Sequence, residues 1–319
     1  MKTVLVTGGA GFIGSHFVDY ILEKYPSYRV VCLDKLTYAA SLDNLEKAFK
    51  SSRFRFIKAD ICDKVQVDKA FCEQRPEIVV NFAAESHVDR SIADPGIFLK
   101  TNFSGTGVLM DACIKYNVSR FHQVSTDEVY GSLSLESSKK FSERSPLAPS
   151  SPYSASKASA DLLALSYFKT YKLNVSISRS GNNFGERQYP EKLIPLMVKN
   201  ALDNKPLPIY GNGENIRDWI YVKDHCEAID LIIHSSKAGE IYNVGAGNEI
   251  SNLTLVKKIC KELDKPENII EFVPDRKGHD KRYALSTDKI SEELVWHAKA
   301  DFDKAFTSTI NWYKTKFSK

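Results

Sequence analysis

The sequence predicts an α/β fold, a doubly wound parallel sheet of the Rossmann type followed by a smaller mixed α/β lobe at the C-terminal end. Two observations predict the sheet: short apolar, β-branched runs alternate with helical patterns, and a glycine-rich turn follows the first run. The second lobe is predicted because prolines and turn residues replace this alternation beyond residue 180. The predicted strands of the sheet are residues 3–7, 30–33, 54–59, 78–82, 120–124 and 175–178.

Composition excludes several classes of protein. A chain of 319 residues is long enough for two domains with a sizeable core. Its net charge of +4 results from 44 basic and 40 acidic residues spread along the chain, whereas nucleic-acid-binding proteins cluster their basic residues. No apolar run approaches the roughly 20 residues that span a bilayer, and the N-terminal residues lack the features of a signal peptide. The six cysteines form no C-x-x-C or Cys/His cluster, so we expect reduced thiols, no metal site and a cytoplasmic protein without nucleic-acid or membrane partners.

The first predicted strand leads into a glycine turn. Gly8, Gly11 and Gly14, with Phe12 and Ile13 between them, stand between that strand and a helical pattern from residue 15 to about residue 24. Glycines at this spacing allow a tight turn, close approach of a pyrophosphate and close helix–strand packing. The strand–turn–helix context is the one that a dinucleotide site requires.

Acidic and small residues follow the next three strands. Asp34 ends the second strand, where a carboxylate can accept hydrogen bonds from a ribose and repels a 2′-phosphate, although Lys35 partly offsets that repulsion. We therefore predict NAD rather than NADP; the alternative for Asp34 is a solvated turn acid. Asp60-Ile61, after the third strand, is a predicted adenine contact, and Ala83-Ala84, after the fourth, let the backbone pass close to a cofactor. His87 is interpreted as a loop residue rather than a base.

The fifth strand ends in Ser125-Thr126-Asp127-Glu128, the stretch around which the chain is organised. Ligands of open parallel sheets lie beyond the carboxyl ends of the strands. Tyr153 and Lys157, on the next predicted helix, are four residues apart and so share one face. A nearby ammonium and a positive nicotinamide ring favour the phenolate, so Tyr153 can take a proton from a hydroxyl as hydride leaves the same carbon. Two adjacent carboxylates repel, which keeps one protonated and indicates a second proton-transfer step; the alternative is an exposed turn.

The second lobe carries fewer signals. Residues 207–211 and 217–222 are predicted strands, followed by a helix over 222–235, a strand near 241–244 and a final helical region. A long helix is also predicted over 95–116, before the fifth strand. Residues 132–151 are polar and contain prolines, so we expect a loop there.

Motifs from both parts of the chain resemble those of the extended short-chain dehydrogenase/reductases and, within them, the dTDP-glucose 4,6-dehydratases. The glycine turn and Tyr-x-x-x-Lys are shared by the whole superfamily, whereas Thr126-Asp127-Glu128 is more specific. The other matching stretches are residues 33–39, 83–89, 190–196, 217–222 and 278–283.

The resemblance implies an enzyme, a hydro-lyase that uses NAD to convert a nucleoside-diphosphate glucose, dTDP-glucose above all, to a 4-keto-6-deoxy sugar. Tyr153 would deprotonate the 4-hydroxyl, Glu128 would remove the C5 proton, and Asp127 would protonate the departing 6-hydroxyl. Thr126 would bond the 4-oxygen, and Lys157 would hold the ribose and tune Tyr153. Hydride taken from C4 would return to C6, so the cofactor should stay bound.

The resemblance also implies the binding residues. Residues 1–180 would form the dinucleotide-binding domain, to which 218–244 return, and 181–319 mainly the sugar-nucleotide lobe. The cofactor residues would be Gly8, Gly11, Phe12, Ile13, Gly14, Asp34, Lys35, Thr37, Asp60, Ile61, Phe82, Ala83, Ala84, Ser86, Thr101, Tyr153, Lys157 and Asn183. The substrate residues would be Ser86, Thr126, Asn182, Lys192, Leu193, Pro208, Tyr210, Arg217, Asn252, Arg276, His279 and Asp280.

The chain departs from the family pattern at four places. Lys277 stands where the family has proline, Ala40 where it has glycine, and Asn183-Phe184-Gly185-Glu186 where it has Asn-Tyr-Gly-Pro; the loop between Gly131 and Phe141 is also shorter than in the family. These positions bear on nucleotide preference and loop closure. A homodimer through the predicted helices 95–116 and 153–171 is likewise implied by the resemblance.

Other functions on the same fold remain as alternatives. These are a UDP-sugar 4,6-dehydratase, a sugar-nucleotide 4-epimerase, a UDP-glucuronate decarboxylase and a non-catalytic NAD-binding scaffold. Epimerases resembling this chain lack the acid–base pair, decarboxylases carry Ser-Glu where Asp127-Glu128 stand, and silent scaffolds lose the tyrosine or lysine. Asp127 therefore separates the dehydratase from its relatives.

Overall fold

The computed structural model describes residues 1–318; Lys319, the last residue of the predicted second lobe, lies outside the described residues. Strands and helices are numbered in chain order. The strands are β1 (Thr3–Thr7), β2 (Arg29–Asp34), β3 (Phe54–Lys58), β4 (Ile78–Asn81), β5 (Arg120–Thr126), β6 (Val175–Ser180), β7 (Asn182–Phe184), β8 (Leu207–Tyr210), β9 (Ile216–Tyr221), β10 (Glu240–Val244), β11 (Glu249–Ser251) and β12 (Ile270–Val273). The helices are α1 (Phe12–Lys24), α2 (Glu46–Phe49), α3 (Lys64–Gln74), α4 (Val88–Ala93), α5 (Pro95–Phe98), α6 (Thr106–Lys115), α7 (Pro152–Tyr171), α8 (Leu193–Leu202), α9 (Val222–Ser235), α10 (Asn252–Glu262), α11 (Asp288–Leu294) and α12 (Phe302–Phe317).

The predicted doubly wound sheet is confirmed. Seven parallel strands lie in the order β10-β6-β5-β4-β1-β2-β3, so β10 returns to the edge of the sheet from the second half of the chain. Strands such as β1 are buried on both faces because helices cover both, which explains their continuous apolar sequences. Leu5 packs with the core around α3, α6 and α7, whereas its neighbours Val4 and Val6 pack with α1 and α9 on the other face.

The predicted helix over 95–116 contains a wide turn. Residues Leu99–Gly105 are π-helical between α5 and α6. Asn102 in this turn accepts a hydrogen bond from the backbone N–H of Glu85 at 2.8 Å and donates to Ser156 Oγ at 2.9 Å. The π turn therefore joins the loop after β4 to α7, and such turns often occur at functional sites.

The smaller lobe contains two further sheets and three helices around a separate core. β11, β9 and β7 form a three-stranded sheet, and β12 pairs with β8 in parallel. Phe184, Met197, Ile259, Phe306 and Tyr313 are buried together between α8, α10 and α12. Sequence reasoning missed α8, because Pro195 and the turn residues before it suggested a loop. Proline is tolerated in the first turn of a helix, where its missing N–H has no intrahelical partner.

Candidate active site

The glycine turn forms a cradle in which side chains do not fit. Gly8 has a φ of +66°, and a Cβ there would lie 2.6 Å from the backbone nitrogen of Ala83. A Cβ on Gly14 would lie 2.3 Å from the carbonyl oxygen of Gly8. The helix α1 begins within this turn, at Phe12 rather than at residue 15, so its N-terminal N–H groups face the cradle. A pyrophosphate fits this backbone surface.

Asp34 lies beside the cradle at the end of β2. It is 7% exposed, and it accepts hydrogen bonds from the backbone N–H groups of Ala10 at 3.0 Å and Leu36 at 2.8 Å. Burial raises the pKa of its carboxyl. Lys35 lies within 3.8 Å of carboxylate oxygens of Asp60 and Glu85, so its charge is opposed by two acids. This arrangement favours ribose hydroxyls over a 2′-phosphate.

The carboxylates lie in a 3₁₀ turn, Asp127–Tyr130, which follows β5 at once. Thr126 caps this turn, because its hydroxyl accepts a hydrogen bond from the backbone N–H of Glu128 at 3.2 Å. Asp127 is 1% exposed; burial and the charge of Glu128 raise the pKa of Asp127 well above its usual range. The pKa of Glu128 is also raised, by burial, although Arg217, Lys192 and Arg276 oppose that rise. The pair is thus separated into a more acidic and a less acidic group.

Tyr153 and Lys157 lie on the first turns of α7, which a reciprocal Ser151–Ser154 capping box fixes in place. The ammonium of Lys157 donates to the carbonyl oxygen of Val124 at 2.6 Å, and burial lowers the pKa of Lys157 to about 8. The expected lowering of the tyrosine pKa is not found in the protein alone. Burial and the carboxylates of Glu128 and Asp127 raise the pKa of Tyr153, and the ammonium of Lys157 bonds the Val124 carbonyl rather than the phenol.

One cavity at the carboxyl edge of the sheet joins these features. All the predicted cofactor residues and all five predicted catalytic residues line it. Ser86, Asn182 and Lys192 among the predicted substrate residues line it as well. Residues on its wall that sequence reasoning missed are Leu33, Ala39, Ala40, Ala59, Glu85, Val124, Ser125, Ser180, Gly181, Gln188, Tyr189 and Glu191. Most of them adjoin a predicted residue, so proximity to the motifs was the available signal.

The remaining predicted substrate residues lie outside the cavity wall, in the second lobe. Arg217 is buried, donates to the carbonyl oxygen of Asp280 at 2.9 Å and lies 4.4 Å from the ring centre of Tyr283. Arg276 lies 3.9 Å from Asp89, and the rings of Tyr210 and His279 are 6.1 Å apart. Leu193 and Asn252 begin α8 and α10, and Pro208 lies on β8. Arg217 and Arg276 are near enough to affect Glu128, which connects this group to the cavity.

Two loops and α4 meet at one side of the cavity. Tyr38, after β2, donates a hydrogen bond to Glu191 at 2.9 Å. Arg90 lies 4.2 Å above the ring of Tyr38 and 3.7 Å from Glu85, and Tyr189 meets that ring edge-on at 5.3 Å. These contacts join segments far apart in sequence, so no local pattern predicted them.

Residues 1–318 contain no group of three or more histidine, cysteine, aspartate or glutamate side chains arranged to hold a metal ion. In the same range, no helix has both the length and the apolar character to cross a bilayer.

Comparison with known proteins shows similarity along nearly the whole chain. The family model described as GDP-mannose 4,6 dehydratase matches residues 5–309. A dTDP-glucose 4,6-dehydratase from Actinoplanes is 45% identical over 320 residues, which cover 99% of this chain and 98% of the relative. The crystal structure of DesIV, a dTDP-glucose 4,6-dehydratase from Streptomyces venezuelae with NAD bound, has a TM-score of 0.96 and 44% identity, covering 99% of this chain and 98% of that one. A UDP-glucose 4-epimerase from Thermotoga maritima shares the fold at a TM-score of 0.90 but is 30% identical, covering 99% of each chain.

Proposed function

The chain belongs to the GDP-mannose 4,6 dehydratase family, and we propose that it dehydrates dTDP-glucose to the 4-keto-6-deoxy sugar nucleotide with NAD as cofactor. The resemblance to dTDP-glucose 4,6-dehydratases expected from the sequence is confirmed by the full-length relatives. One observation carries the proposal: the Asp127–Glu128 pair and the Tyr153–Lys157 pair line the same cavity as the glycine cradle. Oxidation alone needs only the second pair, so the first supports an elimination.

The cradle and Asp34 fit a dinucleotide. The backbone of Gly8, Gly11 and Gly14 would contact the pyrophosphate, and Asp34 would accept bonds from the adenosine ribose. When bound, NAD accepts a hydride from C4 of the sugar and returns it to C6. The reaction therefore has no net redox change.

Tyr153 and Lys157 serve the oxidation of C4. Tyr153 takes the proton of the 4-hydroxyl as a phenolate and becomes a neutral phenol, and the charge of Lys157 stabilises the phenolate before that transfer. Thr126 lies close enough to the phenol to lower the pKa of Tyr153, so its hydroxyl can bond the same sugar oxygen. Lys157 also has a neutral partner, the Val124 carbonyl, which holds its side chain in this position.

Glu128 and Asp127 serve the loss of water. The new 4-ketone acidifies the C5 proton, which Glu128 removes because its carboxylate is stabilised by the cations of the second lobe. Burial and the charge of Glu128 favour the protonated form of Asp127, which suits it to be the acid of the pair. Asp127 gives its proton to the departing 6-hydroxyl, so the two carboxyls act as base and acid within one step.

The second lobe, over the predicted residues 181–319, would hold the nucleoside diphosphate. Lys192 donates to the carbonyl oxygen of Ser86 at 2.6 Å and so bridges the two parts of the cleft. Arg217, Arg276 and Lys192 surround Glu128 with positive charge that also suits a pyrophosphate.

We further propose a cytoplasmic homodimer. Large apolar side chains are exposed on the π turn, α6 and α7, which pack against each other; they are Leu99, Phe103, Ile114, Leu162 and Tyr171. Exposed apolar surface of this kind marks protein–protein contacts. The six cysteines are all free, which suits a reducing compartment. Sedimentation analysis of the wild type and of Leu162→Glu tests the dimer. The charged residue should dissociate the dimer, and the helical signal in circular dichroism should not change.

Product analysis tests the proposed function. The enzyme is incubated separately with dTDP-glucose and UDP-glucose, and the products are analysed by mass spectrometry. We expect loss of one water from dTDP-glucose, faster than from UDP-glucose, without net NADH. Faster conversion of UDP-glucose would indicate a UDP-sugar dehydratase. A product of unchanged mass and galactose type would indicate an epimerase, and the absence of turnover with NAD bound would indicate a scaffold.

A further inference from the structure

A buried ion pair lies behind the Tyr153–Lys157 face of α7. Asp161 is 0% exposed and Arg179 is 2% exposed, and Arg179 Nε donates to Asp161 Oδ2 at 2.9 Å. Asp161 follows Lys157 by one helical turn, and Arg179 on β6 is the register partner of Ser125 on β5. Burying an ion pair costs desolvation energy, so such a pair is by itself weak evidence of a stabilising role.

Lys157 needs a counter-charge at this position. Lys157 is 4% exposed and its ammonium donates to a neutral carbonyl, so that bond does not balance the charge. The spacing on α7 places the Cβ atoms of Lys157 and Asp161 roughly 5–6 Å apart. Burial lowers the pKa of Lys157 and the charge of Asp161 raises it. The charge that acts on Lys157 is that of Asp161 on α7. Asp127 and Glu128 in the 3₁₀ turn act, with Asp161, on the neighbouring Tyr153. Arg179 on β6 bonds both Asp161 and Tyr130.

Arg179 acts on both sides of the site. Burial raises the pKa of Asp161, whereas the charges of Arg179 and Lys157 lower it, so Arg179 helps keep Asp161 ionised. Arg179 Nη1 also donates to the hydroxyl of Tyr130 at 3.0 Å, and that hydroxyl donates to Asn243 at 2.7 Å. Tyr130 ends the turn that carries Asp127 and Glu128. One buried network thus connects the helix of the oxidation pair to the turn of the elimination pair.

We propose that Asp161 is a positioning residue for the reaction: its carboxylate, fixed by Arg179, keeps the ammonium of Lys157 charged where the Val124 carbonyl holds it. This inference rests on the proposed function, because it assigns Asp161 a role only through Tyr153 and Lys157. Nothing in the sequence motifs singles out Asp161, since a helical acid four residues after a lysine is common on exposed faces.

The test is the pH dependence of turnover on dTDP-glucose for wild type, Asp161→Asn and Asp161→Glu. Wild-type activity should decline on the alkaline side near pH 8, where Lys157 loses its proton. In Asp161→Asn that decline should move to lower pH by roughly one unit or more, the usual effect of removing a close opposite charge. The acidic limb should move down as well, since Asp161 also raises the pKa of Tyr153. Asp161→Glu retains a carboxylate and should restore the wild-type alkaline limb.

Two controls separate positioning from stability. Asp230→Asn removes another buried carboxylate, which binds Lys24 and Tyr25 between α1 and α9, far along the chain from the site motifs. It should lower the melting temperature without moving either pH limb. Asp161→Asn leaves the buried charge of Arg179 without a partner, which could prevent the protein from folding. In that case the double variant Asp161→Asn/Arg179→Gln removes both buried charges and should show the same alkaline shift.

The outcomes distinguish the role of Asp161 from the proposed dehydratase function. Active variants whose limbs stay at the wild-type pH, with only the rate or melting temperature reduced, would overturn the role of Asp161 and leave the proposed function intact. A wild-type protein that does not dehydrate dTDP-glucose would overturn the proposed function and this inference with it.

Discussion

Replacing Asp127 by asparagine should stop the reaction between its two halves. The amide has the shape of the carboxyl and can keep the bond from Thr126, which reaches Asp127 at 3.2 Å, but it has no acidic proton to give. Oxidation at C4 depends on Tyr153 and Lys157 and should still proceed. Loss of the 6-hydroxyl should then limit turnover, so enzyme-bound NADH should accumulate.

The size of the effect follows from the environment of Asp127. It is 1% exposed, and burial beside Glu128 raises its pKa well above the usual range, which favours the protonated form that a general acid needs. General acid catalysis contributes roughly 10²–10⁴-fold. Turnover should therefore fall by that factor, equivalent to about 3–5 kcal/mol of barrier.

Stopped-flow absorbance at about 340 nm detects bound NADH, and mass spectrometry of the quenched mixture measures product. Asp224→Asn is the matched control, because Asp224 is another buried carboxylate that caps the backbone N–H groups of Lys299 and Ala300 away from the cavity wall. It should show neither the NADH signal nor the loss of turnover. Full activity of Asp127→Asn without an NADH transient would refute the reasoning.

Three further predictions concern the cofactor and acid stability. Gly14→Ala should abolish NAD binding, measured by calorimetry, because its Cβ would lie 2.3 Å from the Gly8 carbonyl; unchanged affinity would contradict the cradle. Tyr38→Phe removes the 2.9 Å hydrogen bond to Glu191 that joins two loops over the cavity. A partly exposed hydrogen bond contributes about 1 kcal/mol, so its loss should speed NAD release about fivefold. The control Phe49→Leu should leave the rate of NAD release unchanged. His16 is 8% exposed and burial lowers its pKa to about 4. Below pH 6.5 this histidine therefore binds a proton in the unfolded chain but stays neutral in the folded protein down to about pH 4. Stability should therefore fall between pH 6.5 and 4 by about 3 kcal/mol from this group, and denaturant titrations of His16→Gln should show a shallower loss; an equal slope would show that His16 does not govern acid stability.

The sequence predicts the sheet and much of the cavity because both depend on short-range patterns. The β-branched residues of β1 predict a buried strand. Gly8 predicts a turn because a residue without a side chain can adopt the positive φ found there. The dipeptide Asp127-Glu128 stands where a strand of a parallel sheet ends, which is where ligands bind. Local sequence therefore carried these predictions.

What the sequence did not predict depends on contacts between distant segments. The bond of Tyr38 to Glu191 joins residues 153 positions apart, and Arg90 joins the same group from α4. Asp161 resembles an ordinary helical acid until β6 brings Arg179 against it. The pKa of Tyr153 moved opposite to expectation because burial, which depends on tertiary packing, and the charges of Glu128 and Asp127 raise it.

The central claim is that a single site moves hydride within one sugar while Asp127 and Glu128 remove water. The most direct measurement uses dTDP-glucose labelled with deuterium at C4. The product should have lost one water and should carry the deuterium at C6, and free NADH should carry no label. Mass spectrometry and proton NMR measure both. A product without deuterium, or one that retains all its oxygens, would contradict it.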